Sequence, residues 1–291
     1  MGEVRLAVDA RDRLGECALW CERTQSFWWT DIEGSKICRL DATGSVREWN
    51  LPERVGSFAF VADSESKLLL GLASGIAVFD IDDESLSLVN PVEADQPTTR
   101  INDGRCDRQG RFVFGMYNPK EEAIGGMYRV HADLQVERLP LPPTAVANSI
   151  CFSPDGATMY YADSPTRTIW SMDYHPDGRI GTPRVFAQVP KGDGFPDGSC
   201  IDADGRLWSA RWEGHCVVRY EASGKESARV ALPVSRPTCP SLGGANLDVL
   251  HVTSARGGMN KERLRDEPHA GGVFTAQVDG RGLPESRFVL A

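Results

Sequence analysis

The stretch that decides the fold is Asn148-Ser-Ile-Cys-Phe-Ser-Pro-Asp-Gly156, which is followed by Met159-Tyr-Tyr-Ala-Asp163 and Thr168-Ile-Trp-Ser-Met172. Its runs are rich in the β-branched and aromatic residues that strands prefer. Asp155-Gly156 supplies the positive φ that a tight hairpin requires, and further Asp-Gly pairs occur at 177–178, 204–205 and 279–280. The stretch therefore predicts three short antiparallel strands joined by tight turns.

The same pattern recurs along the chain. Clear copies begin at Glu16, Asn102 and Asp197, and weaker copies begin at Gly56 and near Thr238. Successive starts lie about 40 to 50 residues apart, which leaves room in each unit for a fourth, looser strand. Six such units predict an all-β fold, namely a six-bladed β-propeller with four-stranded antiparallel blades around a central channel.

The ring of blades has to be closed at the chain ends. Val4–Val8 precedes the first unit and is expected to add a strand to the last blade, where it would cover an exposed sheet edge. We expect one propeller domain that spans residues 1–291.

Composition and charge narrow the classes of function. The formal net charge of −9 argues against a nucleic-acid partner, which needs a basic surface. No apolar run approaches the ~20 residues that span a bilayer, and the N-terminus lacks an apolar signal segment, so we expect a cytoplasmic protein with no membrane partner. The eight cysteines are irregularly spaced, and we expect buried free thiols rather than disulfides.

The aligned unit starts form a chemical pattern. The first strand of each propeller blade lines the channel, so residues at equivalent positions converge at its mouth. These positions hold Glu16, Gly56, Asn102, Asn148, Asp197 and Thr238. Two carboxylates and two carboxamides on one axis would stay poorly satisfied without a cation, and oxygen-only ligands suit a hard divalent ion. The alternative is that they are turn residues that cap the strand starts.

Other polar residues lie close to these positions in the sequence. Arg100 is expected at the same mouth, where its guanidinium would offer donors to carbonyl or hydroxyl oxygens; the alternative is a surface arginine. Asp103 is expected to hold the following turn. Asn118, Glu121 and Glu122 fall on a loop of the third unit, where solvated side chains are the simpler interpretation. Trp212 is a candidate for a pocket wall.

Several short motifs are specific as a set and cover nearly the whole chain. They are Leu14-Gly15-Glu16, Arg100-Ile-Asn-Asp-Gly104, Asn148 with Phe152-Ser-Pro-Asp-Gly156, Pro196-Asp197-Gly198 and Thr253-Ser-Ala-Arg256. On these motifs the chain resembles the regucalcin/gluconolactonase family of sugar lactonases, and it is most similar to the bacterial aldonolactonase branch.

The resemblance implies a set of site residues. A single divalent cation would be held by Glu16, Asn148 and Asp197, and the substrate would be contacted by Arg100 and Asn102. The oxygen ligands favour Ca²⁺, Mg²⁺ or Mn²⁺, with Zn²⁺ and Fe²⁺ as alternatives.

Two departures from the family pattern fall near the substrate end. Cys17-Ala18 stands where the family often has Gly-Pro, and Gly115-Met116-Tyr117 stands where it often has Gly-Thr-Met. A substrate-contacting acid of that loop is therefore not carried over directly, and Glu121 is an unaligned candidate for a substrate-binding residue.

The reaction implied by the resemblance is metal-dependent hydrolysis of a sugar aldonolactone, a pentono- or hexonolactone, to the aldonate. The cation would polarise the carbonyl or lower the pKa of a bound water. Asp197 would be the catalytic proton acceptor, and Arg100 would help to stabilise the oxyanion.

Two other functions are compatible with the same scaffold. One is an organophosphate or aryl-ester hydrolase, whose relatives hold a second, structural calcium ion deeper in the channel. The other is a non-enzymatic divalent-cation-binding protein. A count of tightly bound metal ions per chain would identify the first, and a lack of turnover on a lactone panel would identify the second.

Overall fold

The structure is a computed structural model that describes residues 2–291, and six sheets of four antiparallel strands make up nearly all of its regular structure. No helix in this range has the length and the apolar character needed to cross a membrane. The chain begins with β1 (Arg5–Val8), which belongs to the last sheet.

The first three blades follow in chain order. Their strands are β2 (Gly15–Cys21), β3 (Ser26–Asp31), β4 (Lys36–Leu40) and β5 (Val46–Asn50) in blade 1; β6 (Val55–Phe60), β7 (Lys67–Leu72), β8 (Gly75–Asp80) and β9 (Leu86–Pro91) in blade 2; and β10 (Arg100–Cys106), β11 (Phe112–Tyr117), β12 (Met127–Val130) and β13 (Val136–Arg138) in blade 3.

The last three blades have the same plan. Their strands are β14 (Ala147–Phe152), β15 (Thr158–Asp163), β16 (Thr168–Asp173) and β17 (Arg184–Gln188) in blade 4; β18 (Phe195–Ile201), β19 (Leu207–Trp212), β20 (Cys216–Tyr220) and β21 (Glu226–Ala231) in blade 5; and β22 (Pro237–Gly243), β23 (Val249–Ser254) and β24 (Val273–Gln277) in blade 6. A 3₁₀ turn covers Ser164–Thr166, and the helix α1 covers Lys261–Asp266.

The first strands of successive blades contact one another around a closed circle. β2, β6, β10, β14, β18 and β22 each touch the next, and β22 returns to β2. The prediction of a six-bladed propeller with four-stranded antiparallel blades is confirmed.

The N-terminal strand completes the last blade, as expected. β1 pairs antiparallel with β24, with Arg5 opposite Thr275 and Leu6 opposite Phe274. The ring therefore closes with strands from both ends of the chain, and the outer edge of β24 is covered.

A break in pairing register occurs at the same level in the first strand of every blade. The breaks lie between Glu16 and Leu19, Val55 and Ser57, Ile101 and Gly104, Asn148 and Cys151, Pro196 and Ser199, and Pro237 and Pro240. Such bulges bend a strand and redirect its side chains. The equivalent positions identified from the sequence lie at these breaks.

Apolar side chains fill the spaces between blades. Trp28 stacks on Trp49 with ring centroids 5.3 Å apart and packs against Phe58 and Phe60 of blade 2. All eight cysteines are buried and free, which confirms that prediction.

Three of the four Asp-Gly pairs form the expected turns. Gly156, Gly178 and Gly205 have positive φ angles of 72°, 93° and 79°. The expectation is wrong for Asp279-Gly280, because the pair follows β24 and no further strand of the blade comes after it.

The C-terminal segment crosses the end of the ring opposite the channel mouth. Phe288 pairs with Val61 in a parallel bridge, and its N–H donates to the Phe60 carbonyl at 2.7 Å. Glu285 of the same segment lines a small enclosed space with Arg105 and Arg108 at the ends of the inner strands. This closure was not expected from the sequence.

Candidate active site

The six residues that the sequence assigns to metal or substrate binding line one cavity of about 380 Å³ at the channel mouth. They are Glu16, Arg100, Asn102, Glu121, Asn148 and Asp197. Five of them are buried, and Glu121 is exposed. The wall of the cavity includes Tyr117, Phe195 and Trp212, so the placement expected for Trp212 is correct.

Two buried carboxyl groups face each other at the base of the cavity. Burial and the neighbouring carboxyl groups of Asp197 and Asp103 raise the pKa of Glu16 well above its usual range. Burial and the Asp103 carboxyl likewise raise the pKa of Asp197. The ionised forms of both acids are therefore disfavoured unless positive charge lies close to them.

A chain of hydrogen bonds fixes the two amides beside the acids. Arg100 Nη1 donates to Asn102 Oδ1 at 2.7 Å, and Asn102 Nδ2 donates to Asn148 Oδ1 at 3.1 Å. Asn148 Nδ2 donates to Ser164 Oγ at 2.9 Å, and the Ser164 hydroxyl donates to the Pro196 carbonyl at 2.7 Å. Each amide has one orientation compatible with these partners, so the oxygen of Asn148 is held in a defined position.

The donor set fits a hard divalent cation. Within residues 2–291, no three His, Cys, Asp or Glu side chains form a cluster of metal-ligand type, and here the third oxygen belongs to the amide of Asn148. Two carboxylates and an amide oxygen, without sulfur or imidazole, are ligands that Ca²⁺, Mg²⁺ and Mn²⁺ prefer. A bound cation would also remove the repulsion that raises the pKa of Glu16 and Asp197.

Arg100 is an interior residue. Its side chain is buried, and its guanidinium carbon lies 4.3 Å from the centre of the Tyr117 ring. The alternative of a surface arginine is therefore wrong. Burial lowers the pKa of Arg100 to about 10, which leaves it positively charged at neutral pH.

The loop that carries Glu121 is anchored by a neighbour. Asn118 is fully buried, its N–H donates to the Ala145 carbonyl at 2.8 Å, and its Nδ2 donates to the Glu122 carbonyl at 3.0 Å. Its Oδ1 accepts a hydrogen bond from the Lys120 N–H at 3.2 Å. The solvated interpretation is wrong for Asn118 because this side chain replaces the missing backbone partners of the loop.

The family model described as "SMP-30/Gluconolactonase/LRE-like region" matches residues 14–256. The chain belongs to this family.

Similarity to individual members of the SMP-30/gluconolactonase family covers almost the full chain. The L-arabinolactonase of Azospirillum brasilense is 48% identical, over 99% of this chain and 96% of that protein. The 6-deoxy-6-sulfogluconolactonase of Pseudomonas putida is 34% identical, over 94% of both. The solved regucalcin of Agrobacterium tumefaciens, described as a calcium-binding protein, has 30% identity and a TM-score of 0.93 over 99% of this chain and 97% of its own.

At two of the six equivalent strand positions, Gly56 and Thr238, the residue contributes to contacts between blades and not to the cavity. A Cβ atom on Gly56 would lie 2.2 Å from the Ile101 carbonyl oxygen, so the close approach of blades 2 and 3 requires glycine there. The Thr238 hydroxyl donates to the Gly15 carbonyl at 2.5 Å and thereby links blade 6 to blade 1.

Two further polar residues have roles that differ from the sequence-based interpretation. Asp103 does not hold the following turn: its Oδ2 accepts a hydrogen bond from the Ile150 N–H of blade 4 at 2.8 Å. Ser164, which orients Asn148, was missed. It lies in an Asp-Ser-Pro-Thr turn whose sequence indicates only a turn.

Proposed function

We propose that this hydrolase opens the internal ester of a sugar aldonolactone, with one divalent cation held by Glu16, Asn148 and Asp197 as its cofactor. The observation that carries the proposal is the meeting of two buried, mutually repelling carboxyl groups and an oriented amide oxygen in one cavity. The names of the two curated relatives, both lactonases, support lactones as the substrate class. They also favour an enzyme over a cation-binding protein without activity.

When bound, the cation would act as a Lewis acid toward the lactone carbonyl and would lower the pKa of a bound water. The oxygen donors leave Ca²⁺, Mg²⁺ and Mn²⁺ as the favoured ions. Ca²⁺ is the first ion to test, because the similar regucalcin is described as a calcium-binding protein.

The protein's own groups have separate tasks in this proposal. Asp197 accepts a proton from water as the water oxygen bonds to the carbonyl carbon, and the proton is delivered to the ring oxygen as the carbon–oxygen bond breaks. The charge of Arg100 stabilises the oxyanion through guanidinium N–H groups not used by Asn102. Asn102 keeps Asn148 in its binding orientation and, with Glu121, orients the sugar hydroxyls.

The substrate proposed first is a pentonolactone, L-arabinonolactone. It rests on the 48% identity to the Azospirillum L-arabinolactonase over nearly both full lengths. Hexonolactones differ by one hydroxymethyl group, and Glu121 and Trp212 on the outer part of the cavity are the residues that would distinguish them.

The test is an activity panel on metal-free protein to which Ca²⁺, Mg²⁺, Mn²⁺, Zn²⁺ or Fe²⁺ is added. The panel contains pentono- and hexonolactones, an aryl ester and a phosphotriester. We expect lactone hydrolysis that depends on added metal, and a loss of orders of magnitude in kcat for Asp197→Asn with the exposed Asp63→Asn as control. Undiminished turnover without metal would overturn the cofactor, and a preference for the aryl ester or phosphotriester over every lactone would overturn the substrate class.

A further inference from the structure

A buried guanidinium occupies the channel beyond the candidate cation site. Arg105 lies two residues after Asp103 on β10, and its side chain is only 12% exposed. Its Nη2 donates to the Ala18 carbonyl of blade 1 at 3.1 Å, which places the cationic group across the channel. Its Nε lies 3.6 Å from Glu285 Oε1 of the C-terminal segment.

Arg105 interacts electrostatically with the acids at the channel mouth through Asp103. The charge of Arg105 acts on the Asp103 carboxyl, and the charge of Asp103 acts on Glu16 and Asp197. Opposite charges therefore follow one another from the mouth inward, from the acids to Arg105 and then to Glu285. Interactions at this depth are weakly screened by solvent.

The formal charges along the channel leave a negative excess that favours a cation. The channel charges are Glu16, Asp103, Asp197 and Glu285, and opposite them Arg100, Arg105 and Arg108. Four carboxylates and three guanidiniums amount to a formal charge of −1. Without Arg105 the formal charge would be −2, which would bind a divalent cation more strongly and leave Asp103 without its cationic neighbour.

We propose that Arg105 is a fixed internal counter-charge that sets the affinity of the channel for its divalent cation, and that Glu285 moderates it from the far side. The inference rests on the cation site of the proposed function. Arg105 touches neither cation nor substrate in this scheme and acts through Asp103, so it is a positioning residue for the charge of the site. Because a +1 charge repels the cation, its removal raises affinity, whereas removal of the Glu285 charge lowers it.

The experiment measures cation affinity by chelator competition on metal-free protein with Ca²⁺ or Mn²⁺ alone, without any activity readout. We expect Arg105→Gln to bind the cation at least about tenfold more tightly than wild type, and Glu285→Gln to bind it at least about threefold more weakly. The double variant should fall between the two. Arg105→Lys keeps the charge and should stay within about threefold of wild type.

A merely structural role for Arg105 would not produce these opposite directions, because lost packing weakens binding in every variant. Weaker or unchanged binding in Arg105→Gln, or tighter binding in Glu285→Gln, would overturn the inference while leaving the proposed cation site in place. If Arg105→Gln does not fold, Glu285→Gln is compared with Glu285→Asp, which keeps the charge: weaker binding in Glu285→Gln alone supports the inference, and equal binding in the two variants overturns it. Wild-type protein that binds no divalent cation would overturn the cation site and this inference together.

Discussion

Ser164→Ala tests whether the orientation of the Asn148 amide matters for cation binding. The serine hydroxyl is the acceptor for Asn148 Nδ2 at 2.9 Å and is itself held by the Pro196 carbonyl. Its removal leaves a buried N–H without a partner, which costs about 1–3 kcal/mol. That energy then no longer favours the amide orientation in which the Asn148 oxygen can bind the cation. It corresponds to a loss of about fivefold to 150-fold in affinity for the cation.

A second contact in the structure narrows the expected range of affinity loss. A flipped Asn148 amide would place its NH₂ group against the NH₂ group of Asn102, which now donates to Asn148 Oδ1 at 3.1 Å. This donor–donor contact still opposes the flip after Ser164 is lost. We therefore expect a loss near the lower half of the range, about tenfold, which agrees with the usual effect of residues that orient metal ligands.

The assay is chelator competition with Ca²⁺ at fixed pH on metal-free protein. Ser171→Ala is the matched control, because Ser171 is a buried serine of the same blade and does not line the cavity. Denaturant unfolding should show that both variants are fully folded under the assay conditions, with Ser164→Ala the less stable of the two because of its unpaired N–H. Equal cation affinity in Ser164→Ala and in the control would refute the argument that the amide orientation sets binding.

Three further predictions concern stability, substrate affinity and association. Burial is the main cause, and the Asp31 charge the second, that raises the pKa of Asp12 from 3.8 to about 7. Between these two pH values the folded state keeps a proton that the unfolded state loses. The free energy of unfolding of the wild type should therefore fall by up to about 4 kcal/mol between about pH 4 and pH 7. Asp12→Asn should remove this fall, and urea unfolding at stepped pH measures it. Asn118→Ala should free the Glu121 loop and raise KM for the lactone about tenfold, with a smaller change in kcat, in steady-state assays. Deletion of residues 2–9 should expose the edge of β24 and cause association, seen by size-exclusion chromatography.

Each of these has its own control. Asp63→Asn changes the same charge at an exposed position, and a pH profile of Asp12→Asn that runs parallel to wild type would contradict the first prediction. Glu122→Ala alters the same loop without removing its anchor, so an equal KM effect there would contradict the second. A deletion that ends at Glu3 leaves β1 intact, and an unchanged elution volume after the longer deletion would contradict the third.

The fold could be predicted because each blade is a local unit of strands that follow one another in the chain. The register of the repeats also placed Asn102, Asn148 and Asp197 at one level, since the ring brings equal positions of every unit to the same end of the channel. The same register could not separate Gly56 and Thr238 from them, because what distinguishes those two is the approach of a neighbouring blade.

Residues that support the site were hard to predict for a related reason. The Ser164 hydroxyl matters through Pro196, 32 residues later in another blade, and Asn118 matters through the carbonyl of Ala145. Neither contact leaves a local pattern in the sequence. The closure of the channel by Glu285 is likewise a contact between the end of the chain and the inner strand β10.

The residue that follows Glu16, Asn102 or Asn148 has a different task. The first strand of a blade has a neighbouring strand on one side only, so N–H and carbonyl groups on its other edge need partners. The Cys17 sulfur accepts a hydrogen bond from the Phe58 N–H of blade 2 at 3.3 Å. Asp103 accepts one from the Ile150 N–H of blade 4 at 2.8 Å.

The same relation continues at the next blade, where the Ser149 hydroxyl donates to the Asp197 carbonyl at 2.5 Å. In Glu16-Cys17, Asn102-Asp103 and Asn148-Ser149 the first residue lines the cavity and the second binds the following blade. The division of tasks explains why a side chain that can form a hydrogen bond follows the cavity residue at these three starts. It also separates their effects at Cys17 and Ser149, where a change acts on blade-to-blade contacts, whereas a change at Asp103 also acts on the acids of the cavity through its charge.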